Sequence, residues 1–198
     1  MDDVPSPKSP GAPGPAPGRG RRTLLLIAAI VAAPIVVSYV AYYLLPRDQR
    51  MNYGTLLPTA PAPAIHGTRD DGAPFRLADL HGRWVLLFSG RGDCDSGCER
   101  KLYAIRQART MQGKDQDRIV RVWIVAGDAA PAPALLAQHP GLVVVRMAQA
   151  MPSMLAGAAD SLYLIDPLGN LVLSFPDDPD IKGIANDLAR LLRASRIG

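Results

Sequence analysis

Histidine and cysteine are scarce in this 198-residue chain, which has three of the former and two of the latter. Two cysteines permit at most one internal bridge, so a disulfide-dense scaffold is excluded. The glycines follow no strict period, so a collagen-like chain is excluded as well. Positive charge is in small excess, a formal +4, and it is unevenly placed. Residues 1–50 hold six Lys and Arg against three Asp and Glu, and the rest of the chain holds 16 against 15. The basic balance therefore belongs to the N-terminus, and nucleic acid is not an expected partner. No Ser/His/Asp grouping, paired-acid site or phosphate-binding loop is evident. Gly90-Arg91-Gly92 is only a fragment of such a loop and lacks its Lys.

Residues 1–20 contain six Pro and four Gly and no aromatic residue. Such a segment cannot bury enough surface to offset its ordering entropy, which predicts a disordered tail over 1–22. Thr23 to Leu45 then runs for 23 residues without a charge. At the helical rise this is about 34 Å, enough to cross a bilayer. Pro34 lies mid-span, and Tyr39, Tyr42 and Tyr43 gather toward one end as an interfacial belt would. The run exceeds a signal-peptide core and Leu44-Leu45-Pro46-Arg47 offers no small-residue cleavage site, which predicts an uncleaved anchor over 23–45. Lys8, Arg19, Arg21 and Arg22 precede it and only Arg47 and Arg50 follow closely, which places the N-terminus in the cytoplasm. In bacterial terms the remainder would be periplasmic, on the far side of the inner membrane, where thiols are oxidised. The proline-rich stretch through Thr59–Ala64 predicts a stiff spacer over 46–64, leaving 65–198 as the folded domain.

Within that domain Trp84–Phe88 is a near-continuous apolar stretch and reads as a central buried strand. The turn Ser89–Asp93 and the pair Cys94 and Cys98 follow, leading into a helical pattern through Leu102, Ile105 and Ala108. Ile119–Val125, a short helix from Ala132 to Gln138 and Leu142–Val145 continue a β-α-β alternation. Ser161–Asp166 and Leu171–Phe175 flank the turn Pro167-Leu168-Gly169-Asn170 and predict a hairpin. Asp178 as N-cap and Pro179 at the first helical position would open a closing helix with Ile181, Ile184, Leu188, Leu191 and Leu192 on its apolar face.

Two cysteines four residues apart at a helix start share one face, close enough to form a disulfide or to grip one metal ion. Their placement after a buried strand and a Gly-rich turn makes them the candidate site residues. The helix dipole favours thiolate at the leading cysteine, and soft thiolates select Cu(I), Zn or an iron–sulfur cluster, with a third ligand wanted from elsewhere. Asp93, Asp95, Ser96 and Glu99 make the loop polar and predict that it is accessible. An inert clamp and a reactive pair both remain open at this point. Met147, Met151 and Met154 are thioether donors before the hairpin, but their apolar setting predicts core filling. His66, His81 and His139 read as surface or turn residues.

The string PFRLADLHGRWVLLFSGRGDCDSGC, with LYLIDPLGNLVLSF later in the chain, resembles the thioredoxin superfamily, in particular the membrane-anchored Sco-type (SenC-like) proteins of cytochrome c oxidase assembly. The resemblance spans roughly residues 64–195. It implies a thioredoxin-like α/β fold, a central mixed sheet with flanking helices, behind a single transmembrane helix. In Sco proteins a strand delivers a Cys-x-x-x-Cys pair, matched by Cys94 and Cys98. The resemblance implies a periplasmic copper chaperone or thiol-disulfide reductase, with Cu(I) on both sulfurs and oxidase subunits or other assembly factors as partners. Three positions depart from the pattern. Gly157–Ser161 contains no His where Sco proteins supply a copper ligand, no Pro stands just before the same strand, and Glu99 follows the second cysteine in place of Pro. The departures leave a metal-free oxidoreductase and a non-catalytic assembly scaffold as the alternative expectations.

Overall fold

A computed structural model describes residues 19–44, 52–147, 152 and 161–195. Most of the N-terminal tail, Met151, Met154 and the Gly157–Asp160 stretch lie outside the described residues. The chain divides into two compact units, Met1–Arg50 and Met51–Gly198.

Among the described residues the first unit contains one helix, α1 (Arg19–Leu44), with Pro34 inside it. Its window Gly20–Val40 is apolar, long enough to cross a membrane and buried nowhere against protein. An exposed apolar surface of this length has no stable place in water, so α1 is the candidate transmembrane span. Near its C-terminal end the rings of Tyr39 and Tyr43 stack at 5.9 Å.

The second unit is built on a mixed sheet of eight strands: β1 (Thr55–Pro61), β2 (His66–Arg69), β3 (Pro74–Arg76), β4 (Trp84–Arg91), β5 (Ile119–Ala126), β6 (Leu142–Met147), β7 (Ser161–Ile165) and β8 (Asn170–Phe175). Their order across the sheet is β1-β8-β7-β4-β5-β6-β2-β3. β4, β5 and β6 are parallel, with α2 (Ser96–Thr110) and α3 (Pro133–Ala137) in the two connections. β7 runs antiparallel beside β4, pairing Val85 with Ile165 and Phe88 with Leu162. α4 (Ile181–Ala194) follows β8. This is the α/β architecture expected, a mixed sheet flanked by helices.

β4 is central because it is apolar on both faces. Trp84, Leu86 and Phe88 join a cluster with Leu102 and Ile105 of α2 and Ile184 and Leu188 of α4. Val85 and Leu87 point the other way, into a cluster with Ile65, Phe75, Leu77, Val122, Ile124 and Tyr163. A strand covered on both sides favours apolar residues at successive positions, hence the unbroken apolar run from Trp84 to Phe88. The hairpin turn is held by Asp166, whose Oδ1 accepts from Leu168 N at 3.0 Å and Asn170 N at 2.7 Å.

Two expectations are corrected here. The stretch 46–64, read as a spacer, holds β1, which pairs with β8. Its prolines are tolerated because β1 lies at a sheet edge, and Pro58 falls where the register is interrupted between Leu56 and Ala60. The segment before β1 is also tied down. The buried carboxylate of Asp187 accepts from Tyr53 N at 3.0 Å and Gly54 N at 2.8 Å, and Tyr53 lies so close over Gly183 that no Cβ would fit there. The second correction concerns α4, whose N-cap is Asp180, accepting from Gly183 N at 2.8 Å. Tyr53 Oη accepts the Asp180 N–H at 2.7 Å, so the long-range contact selects this aspartate over Asp178.

Candidate functional site

The carboxyl end of β4 delivers the cysteine loop. Its entry is fixed by Gly92, where a Cβ would collide with the carbonyl oxygen of Ala129. Asp95, in extended conformation, caps α2 by accepting from Cys98 N at 2.9 Å. Cys94 thus sits just before the helix and Cys98 in its first turn. Their Cα atoms are 5.3 Å apart and their sulfurs are joined in a disulfide.

The two sulfur residues are not equivalent. Cys98 is 2% exposed and lies within the helix-side cluster, whereas Cys94 is half-buried and packs against it. The polar loop was expected to keep the motif accessible, but the helix turn carries Cys98 inward while its neighbours Glu99 and Arg100 face solvent. The flanking carboxylates are both held ionised. Arg91 clamps Asp93 with bonds of 2.7 and 2.5 Å, and this contact holds the Asp93 carboxyl below its usual range. The Cys98 N–H does the same for Asp95, aided by Gly97 N–H, Lys101 and Arg100. Lys101, one helical turn beyond Cys98, is almost wholly buried and lies 3.6 Å from Asp177. Its burial is a tertiary outcome that no local sequence pattern marks.

The remaining sulfur and imidazole candidates are dispersed. Met147 packs half-buried on the opposite face of the sheet, as core filling. His66 and His81 are exposed. His139 sits in the turn after α3, as expected, but is buried. No group of three or more His, Cys, Asp or Glu able to hold a metal occurs among the described residues. For copper the donor chemistry of the two sulfurs fits once the disulfide is reduced, while a third donor of these types is lacking among the described residues.

Residues 84–195 match the family model of the transmembrane-like, thioredoxin-like C-terminal domain, and residues 15–44 match the transmembrane-like N-terminal domain. The chain belongs to this family. No curated protein sequence matches it. The thioredoxin-like domain has the fold of several solved structures. ScoI of Arabidopsis thaliana, crystallised with copper bound, superposes with a TM-score of 0.56 at 18% identity, covering 69% of this chain and 100% of that one. The apo Sco1 protein from Thermus thermophilus gives 0.54 at 21%, covering 74% and 98%. A protein from Chlorobium tepidum described as a thiol:disulfide interchange protein DsbE gives 0.54 at 20%, covering 70% and 99%. Proteins solved with copper bound and a thiol:disulfide interchange protein thus share the scaffold, and the fold by itself assigns no chemistry.

Proposed function

We propose that this chain is a membrane-anchored protein whose thioredoxin-like domain lies outside the cytoplasm and performs thiol-disulfide exchange through Cys94 and Cys98. The observation that carries this reading is the unequal burial of one bonded pair, half-buried Cys94 at the turn and buried Cys98 in the helix. A partner thiolate reaches the Cys94 sulfur first. A bond forms between the partner sulfur and Cys94 Sγ. The Cys94–Cys98 bond breaks, and its electron pair leaves on Cys98 Sγ, which takes a proton from water. A second partner thiol loses its proton to water and attacks the partner sulfur of the mixed disulfide, releasing Cys94 as thiolate. Two electrons have then passed from the partner dithiol to the pair, and the partner has gained a disulfide. The reverse sequence reduces it.

The test is the reduction potential of the pair, measured on the full chain in detergent by equilibration with thiol and disulfide buffers. A potential above about −300 mV supports exchange, and one well below it identifies an inert clamp.

A second reading is favoured by the likeness to Sco proteins solved with copper. In it, Cu(I) is cargo held by the two sulfurs of the reduced pair, on its way to the binuclear copper site of cytochrome c oxidase. The partners would be oxidase subunits or other assembly factors at the bacterial inner membrane, with the domain in the periplasm. Anaerobic Cu(I) titration of the reduced full chain tests it. Stoichiometric uptake that vanishes in the Cys94→Ser, Cys98→Ser double variant supports delivery, and no uptake removes it. If that variant, folded and inserted, still sustains oxidase assembly in cells, the domain acts only as a scaffold and both chemistries fall.

A further inference from the structure

The outward face of α2 begins at the cysteine loop and borders a cavity of about 340 Å³, lined by Glu99, Arg100, Tyr103, Arg106, Gln138 and His139. Ser96, midway in sequence between the two cysteines, also lines it. The space is of a size that takes a side chain or a short peptide stretch.

One buried side chain that lines this cavity has a nitrogen without a partner. His139 is 5% exposed, yet its Nδ1 has no hydrogen-bond partner. Arg121 of β5 does not line the cavity but acts electrostatically on His139; it is 3% exposed and bonds from Nη2 to Pro140 O at 2.5 Å, while its Nε and Nη1 have no partner. No carboxylate pairs with Arg106, Arg121 or His139 among the described residues, although Arg106 and Arg121 both act on His139 electrostatically. Arg106 spends one of its donors on the Gln138 carbonyl and lies over the Tyr103 ring, Cζ 5.3 Å from the centroid. Arg100 meets only exposed Asp178, at 3.7 Å. Among the described residues Glu99 is the one carboxylate lining the cavity. Buried polar nitrogens without a partner are rare in native folds and call for an explanation.

Guanidinium forks match a carboxylate in two parallel bonds, and the exposed Tyr103 ring beside Arg106 offers an apolar wall for the methylenes that carry it. Burial first, then Arg106 and Arg121, holds the His139 imidazole below its usual range, so it faces the cavity as a neutral group. We infer that this cavity receives a carboxylate side chain from an acidic segment of a partner polypeptide. None of its donors is a thiol, so the site stands apart from the exchange reading. A partner seated there would be held beside the cysteine loop.

The experiment uses the full chain in nanodiscs of zwitterionic phosphatidylcholine, titrated with a fluorescein-labelled tetraglutamate peptide and its tetraglutamine counterpart. Tetraglutamate should bind at least about tenfold more tightly. Arg106→Gln should weaken it by about fivefold or more, and so should Arg100→Gln, whose exposed side chain can be changed without disturbing the fold. Arg76→Gln, far off on β3, should leave affinity unchanged, and the Cys94→Ser, Cys98→Ser variant should bind as before. Equal binding of the two peptides, an equal loss with Arg76→Gln, or full affinity in both Arg106→Gln and Arg100→Gln would overturn the inference. Tighter binding of a phosphoserine peptide, by about tenfold, would overturn the carboxylate assignment.

Discussion

Cys94 and Cys98 are chemically identical and differ only in what the fold puts around them. Reactivity follows thiolate access, so the two single variants should behave differently. In reduced Cys98→Ser the remaining Cys94 should be alkylated readily by a maleimide. In Cys94→Ser the buried Cys98 should react at least about tenfold more slowly, and comparable rates by gel shift would contradict the burial order. Asp187 bears on stability. Its carboxylate serves the N–H groups of Tyr53 and Gly54, and Asp187→Ala leaves both without their acceptor. The expected loss is about 3 kcal/mol, read as a lower urea midpoint at unchanged slope. His139 makes stability depend on pH. Burial, with Arg106 and Arg121, lowers its folded value, so in the window below about 6.5 the unfolded chain binds more protons than the folded one. Stability from this residue is complete above that window and is lost as pH falls through it. Urea midpoints measured from neutral pH downward should decline more steeply for the native chain than for His139→Gln.

Elements were legible where one rule sufficed. β4 announced itself because both faces are buried, and the β7–β8 hairpin because Asp166, Pro167 and Gly169 supply turn chemistry between two apolar runs. The start of α2 was less visible, since its first turn, Ser96-Gly97-Cys98-Glu99, carries no apolar period and the Asp95 cap defines it. β1 was hidden by its prolines, because a strand at a sheet edge obeys different limits from a central one. The choice of Asp180 over Asp178 as cap depends on Tyr53, 127 residues away. The same holds at the site, where the cysteine pair could be read from spacing but the burial of Lys101, Arg121 and His139 is a tertiary outcome. The status of β1 is open to test by truncation. A soluble domain that begins at residue 51 should unfold cooperatively. One that begins at 65, without β1 and the Asp187 contacts, exposes the β8 edge and Leu171, and it should show a markedly lower urea midpoint or aggregate. Equal midpoints would make β1 an accessory of the sheet.

At the level of the whole chain, the chemistry proposed for the cysteines depends on which side of the membrane the domain occupies. A thiol pair stays reduced in a bacterial cytoplasm and is oxidised outside it, so orientation is a functional property. Lys8, Arg19, Arg21 and Arg22 stand before the apolar run, and Arg47 and Arg50 stand after it. By the positive-inside rule this imbalance predicts an N-terminus in the cytoplasm, the orientation proposed above. Alkaline phosphatase, which is active only where its own disulfides form, should therefore be active when fused after Gly198. Replacing Arg19, Arg21 and Arg22 together by Gln removes most of the imbalance and should lower that activity. The same cells provide a second readout, because acid-quenched maleimide labelling reports the state of Cys94 and Cys98. Native orientation should yield the pair protected by its disulfide, and the misoriented fraction should label at both thiols. An active fusion whose native pair labels fully would separate location from chemistry, leaving the domain outside the cytoplasm with cysteines kept reduced, as a Cu(I) carrier requires.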